Sequence, residues 1–160
     1  MGASASRIST ENDTEEVVNR RRRYFRCLWE MMDHSKEGAL ARSAEEGGMS
    51  VILTFSGTPR NWLVLDREHS WGVLQQGAVE ALGDYFAEGL FVLMTKRGIP
   101  IRLVEVINER NATFWDPFVS PLNFVKMVRR LRRRCEELLG KEPGAGCPVR
   151  LLVGGTSLLL

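Results

Sequence analysis

A continuous β-prone run, Ser50-Val51-Ile52-Leu53-Thr54-Phe55, lies between two stretches whose apolar residues recur at helical spacing. On one side stand Val17, Val18, Tyr24, Phe25, Leu28, Met31 and Met32. On the other stand Val73/Leu74, Ala78, Ala81/Leu82, Tyr85/Phe86 and Leu90, with Gln75, Gln76, Glu80, Asp84 and Glu88 off that stripe. A 3.6-residue period buries one face of a helix, whereas a short uninterrupted apolar run suits a buried strand. A chain that changes period in this way must use helices to cover a sheet. Its 160 residues, 44% of them hydrophobic, suffice for one domain with a real core.

Thr14 or Asp13 can cap a first helix over about 14 to 33, with Glu15 and Glu16 at its positive end. Residues 35–49, rich in Gly, Ala, Ser and Glu, predict a loop with one helical turn near Leu40–Glu46. Trp62-Leu63-Val64-Leu65-Asp66 follows turn chemistry at Ser56–Asn61 and predicts a hairpin with the run at 50–55. Leu90–Met94 predicts a buried strand, paired through a turn at Lys96-Arg97-Gly98 with Ile101–Ile107. Residues 108–120 read as a loop. Helical spacing returns at Leu122, Val125, Val128, Leu131, Cys135 and Leu138 and stops at Gly140. The expected class is α+β: an N-terminal helix, then two β-hairpins alternating with helices, forming one antiparallel sheet covered by helices. The stripe from 73 runs on through 93, so an all-α bundle is the alternative. The expected organisation is a flexible arm at 1–13, a globular domain at 14–140, and a Gly/Pro linker with an apolar tail at 141–160.

The arm carries the sharpest functional signal. Met1-Gly2-Ala3-Ser4-Ala5-Ser6-Arg7 fits the N-myristoylation pattern, in which removal of Met1 exposes an unbranched glycine amine to acylation. One myristoyl chain holds a bilayer only weakly, so stable anchoring needs a second signal. Arg20, Arg21, Arg22 and Arg23 supply a basic block on the outer side of the first helix, and each such side chain near an anionic surface adds about 1 kcal/mol. A second block, Arg129, Arg130, Arg132, Arg133 and Arg134, lies on the last helix and extends the basic surface. Both blocks lack interleaved aromatics and a recognisable nucleic-acid motif, so nucleic acid is not an expected partner. A nucleic-acid-binding module working through the Arg-rich helix at Arg129–Arg134 is the third-ranked reading.

Three cysteines, Cys27, Cys135 and Cys147, form no C-x-x-C pair and stand beside only two histidines, so no zinc site or other cofactor is expected. The odd count and the absence of an apolar leader favour reduced thiols and a cytosolic location. Cys27 is expected in the core beside Leu28. His34 and His69 are expected as exposed loop histidines. The four tryptophans are expected as core anchors, with Trp115 and Phe118 the best candidates for an exposed partner contact. No transmembrane span, nucleophile elbow, phosphate loop or paired-carboxylate motif occurs, so an enzyme is not expected.

Two resemblances accompany these readings. Met1–Arg7 resembles the acylated starts of retroviral matrix proteins, lentiviral accessory proteins and Src-type kinases. His69-Ser70-Trp71-Gly72, Phe114-Trp115-Asp116-Pro117-Phe118-Val119 and Leu40–Glu45 are similar to pieces of the Bcl-2 family of apoptosis regulators. Val73 stands where that family has the arginine that faces a bound helix. This second resemblance implies an all-α protein that binds amphipathic helices. The leading expectation is a myristoylated, peripheral adaptor or viral matrix or accessory-type protein. It would sit on the cytosolic face of a membrane, with an anionic bilayer and an unidentified protein as partners. The Bcl-2-type regulator is the alternative.

Overall fold

Thr14 Oγ1 accepts a hydrogen bond from the Val17 amide at 3.4 Å, and Glu15 and Glu16 fill the first turn of the helix so capped. That helix, α1, spans Glu15–Met31 in this computed structural model, which describes residues 13–55, 78–106, 121–140 and 146–152. Next comes α2, Ser35–Glu46, where a loop with a single helical turn is expected. Its Lys, Glu, Ala and Arg residues are good helix formers. Gly38 is buried there because the chain approaches Ile99 closely: an added Cβ would lie 3.4 Å from Ile99 Cγ1. The Ser35 amide donates to Asp33 at 2.9 Å, which lowers the Asp33 pKa.

Three short strands follow, separated by long helices: β1 Ile52–Thr54, α3 Ala78–Phe91, β2 Leu103–Glu105, α4 Pro121–Leu139 and β3 Arg150–Leu152. The sheet order is β1-β2-β3, and both pairings are parallel. Ile52 stands opposite Leu103 and Leu103 opposite Arg150, with Leu53, Val104 and Leu151 in the next row. The antiparallel hairpins are therefore corrected. Adjacent strands are joined through α3 and α4, and a helical crossover returns the chain in the same direction. The presence of a sheet also sets aside the all-α bundle. The expected strand at 62–66 lies outside the described residues.

The second expected hairpin fails for a different reason. Leu90–Met94 is the end of a helix rather than a strand. α3 runs to Phe91, and Val92–Lys96 continues it as a π-helical turn, in which the Arg97 amide donates to the Val92 carbonyl at 3.1 Å. Gly98, at φ +62°, then reverses the chain in a conformation that side chains disfavour. Every residue from Ala78 to Leu90 except Glu80 is buried, because α1 and α4 both pack on α3. At its end the apolar residues Leu90–Met94 run without a polar break, and a run that short does not distinguish helix from strand by periodicity.

Around α3, an aromatic cluster ties the layers together. Phe55 stacks on Phe86 with centroids 4.3 Å apart, Phe25 meets the edge of Tyr85 at 5.3 Å, and Trp29 lies 5.1 Å from Tyr85. Trp29 Nε1 donates to the Tyr85 carbonyl at 3.0 Å. Arg150–Leu152, within the stretch read as the apolar tail, supplies the third strand. Cys135 and Cys147 form a disulfide with Cα atoms 5.3 Å apart, which corrects the expectation of reduced thiols.

Candidate functional site

Positions four apart on a helix share a face. Arg22 and Arg26 do so on α1, Asp84 and Glu88 on α3, and Arg130 and Arg134 on α4. Packing brings the three pairs into register. Asp84 accepts from Arg22 Nε at 3.3 Å and from Arg130 Nε at 2.8 Å and Nη2 at 3.0 Å. One turn further, Glu88 accepts from Arg26 Nε at 2.8 Å and from Arg134 Nη2 at 2.7 Å. Both acids are 0% exposed. The Arg26 guanidinium also lies over the Phe91 ring, 4.5 Å from its centroid.

Close helix packing permits this. A Cβ at Gly83 would lie 2.8 Å from the Met127 carbonyl oxygen, and one at Gly89 would lie 2.5 Å from Trp29 Cε2. Both flanking helices thus approach α3 at glycine, near enough for short carboxylates to meet arginines from each side. Four guanidinium groups surround two buried carboxylates, and Glu137 meets Arg134 Nη1 at 2.8 Å. The hydrogen bonds to Asp84 raise the Arg130 pKa, outweighing burial. Burial opposes the charge on Arg134, yet hydrogen bonds to Glu137 and Glu88 raise its pKa above the ordinary value. Arg130 and Arg134 therefore hold their charge, and the cluster locks α1, α3 and α4 together.

A second feature opens on the other side of Trp29. A cavity of about 840 Å³ lies between α2, β1 and α3. Trp29, Phe55, Tyr85 and Phe86 form its aromatic walls, and Leu93, Ile99 and Ile101 close one side. Leu40 and Ile52 line it too and are largely exposed. Burial pushes the Tyr85 pKa up to about 12. His34, expected in solvent, is half-buried and stacks on Trp29 with centroids 5.7 Å apart. Its Nε2 is buried and has no hydrogen-bond partner among the described residues.

The expected site residues are divided by this geometry. Of the first block, Arg20 and Arg23 are exposed. Arg21 is buried and pairs with Asp13 at 2.6 Å, while Arg22 pairs with Asp84. The outer placement of the whole block is thus corrected: its spacing puts two of its members on the packed side. Of the second block, Arg129, Arg132 and Arg133 are exposed, and Arg130 and Arg134 are drawn inward by the carboxylates. Cys27, expected in the core, is exposed. Gly2, Trp115, Phe118 and His69 lie outside the described residues. Asp84 and Glu88 lie off the apolar stripe of α3, and the sequence reading does not single them out as a site. The signal was present as one i,i+4 acidic pair and two i,i+4 arginine pairs.

Among the described residues no cluster of His, Cys, Asp and Glu could hold a metal ion, and no helix is long and apolar enough to cross a membrane. In comparisons with known proteins, the chain matches no family model, no curated protein and no solved structure.

Proposed function

We infer that this protein is myristoylated at Gly2 and works as a peripheral membrane adaptor, matrix-type or accessory protein through protein contacts. The acylation pattern at Met1–Ser6 carries the reading. Support for its electrostatic half comes from side chains left in solvent. These are Arg20 and Arg23 on α1, with Lys126, Arg129, Arg132 and Arg133 on α4. Arg21, Arg22, Arg130 and Arg134 serve the interior instead, so the anchoring charge is smaller than the arginine blocks suggest.

Vesicle sedimentation tests this directly. Acylated protein binds vesicles containing phosphatidylserine, and the Arg20→Gln/Arg23→Gln variant binds them less. Raising the salt from 0.1 to 1 M weakens binding, because the screening length falls from about 10 Å to about 3 Å. Binding unchanged by both manipulations removes the electrostatic part of the reading.

A further inference from the structure

We propose that the cavity between α2, β1 and α3 receives the acyl chain carried on Gly2 of the same molecule, so that the lipid alternates between the protein and the bilayer. This rests on acylation of Gly2, as inferred above.

The size of the cavity fits its occupant. An apolar cavity of roughly 150 Å³ takes a benzene ring, so fourteen carbons need on the order of 350 Å³. The cavity offers about 840 Å³, enough for the chain and the glycine that carries it. Its chemistry fits as well. The walls are aromatic and aliphatic, and Leu40 and Ile52, 73% and 53% exposed, form an apolar rim that water covers poorly. Glu37, His34 and Thr54 bring the polar groups of its lining.

The arm is also long enough. The described chain begins at Asp13. Eleven extended residues from Gly2 to Asp13 reach about 36 Å, whereas α1 from Glu15 to Trp29 rises only about 21 Å. That reach exceeds the distance along α1 to the cavity, and the tether makes insertion an intramolecular step.

The test uses full-length protein co-expressed with an N-myristoyltransferase, its Gly2→Ala counterpart, and dodecanoate as a probe. Gly2→Ala protein takes up dodecanoate, shifting the Trp29 indole and His34 imidazole resonances. Acylated protein shows those shifts without added lipid and binds dodecanoate about tenfold more weakly or less. Ala44→Trp narrows the cavity from its half-buried wall, and Ala44→Leu is the milder form should the first fail to fold. Either raises vesicle binding of the acylated protein several-fold by expelling the chain. Equal dodecanoate affinity with and without acylation, or a cavity that takes no dodecanoate in Gly2→Ala protein, overturns the proposal. Acylated protein that binds vesicles while Trp29 and His34 stay unperturbed sinks this inference alone. An unmodified Gly2 in the intact mass sinks both this and the membrane reading.

Discussion

Arg130 holds Asp84 through two hydrogen bonds, Nε at 2.8 Å and Nη2 at 3.0 Å, across 46 residues of sequence and at a carboxylate that is 0% exposed. Removing one partner of such a pair leaves the other charge buried without compensation. Asp84→Ala should therefore destabilise the fold by about 3–5 kcal/mol, measured by urea unfolding, with Glu88→Ala similar. Arg26, whose side chain is 33% exposed, can turn toward water, so Glu88→Ala should cost more than Arg26→Ala. A cost for Asp84→Ala no greater than that of Arg20→Ala would remove the structural role given to the cluster.

Gly89 presents no side chain to Trp29, and an added Cβ would fall 2.5 Å from Cε2 of that ring. The indole is fixed by its hydrogen bond to the Tyr85 carbonyl and by packing on Tyr85, so it cannot simply swing away. Gly89→Ala should cost about 1–3 kcal/mol of stability, despite the better helix propensity of alanine. Adding Trp29→Phe should recover part of that loss, and a double-mutant cycle measures the coupling. Strict additivity would show that α1 and α3 do not meet there.

Much of the helical layer was legible in the chain. Thr14, Glu15 and Glu16 marked the start of α1, and Leu122 to Leu138 traced α4 almost to its observed end. Strand positions were legible and their direction was not. Ile52–Thr54 and Leu103–Glu105 fall inside the expected runs, but pairing depends on how α3 crosses over, which local pattern does not encode. Leu90 to Met94 misled because an unbroken apolar run at a helix end has the composition of a strand. The ion cluster escaped for a related reason. Asp84 and Glu88 are polar residues on a helix flanked on both sides, where off-stripe positions face arginines instead of water. A charge run reads as surface unless its i,i+4 partners elsewhere are counted.

The Tyr85 phenol gives the fold an alkaline limit. Burial raises its pKa from 10.0 to about 12, so the folded state keeps a proton that the unfolded chain releases near pH 10. The contribution is fully present below pH 10 and is lost as the pH rises through about 12. Stability should fall across that window by at most about 1.4 kcal/mol per pH unit from this group, read from urea midpoints at stepped pH. Tyr85→Phe should flatten the slope. An unchanged slope in that variant would exclude Tyr85 as its source.

The Cys135–Cys147 disulfide links the end of α4 to the approach of β3, with a sequence separation of 12. Closing a loop of that size stabilises by about 3 kcal/mol in the chain-entropy account. Reduction should therefore lower the urea midpoint, and Cys135→Ala/Cys147→Ala protein should be insensitive to reductant. Cys27 is exposed and outside the pair, so Cys27→Ser should leave the effect intact. A midpoint indifferent to reductant would show that the bridge does not constrain the chain.

Membrane attachment through Gly2 is the central claim, and one paired measurement in eukaryotic cells tests it most directly: the intact mass and membrane fractionation of the wild-type chain against Gly2→Ala. The expected result is a mass gain of about 210 Da, the fourteen-carbon acyl group, on wild-type protein lacking Met1, with a membrane-bound fraction that Gly2→Ala loses. Wild-type protein without the added mass, fractionating as Gly2→Ala does, would contradict it.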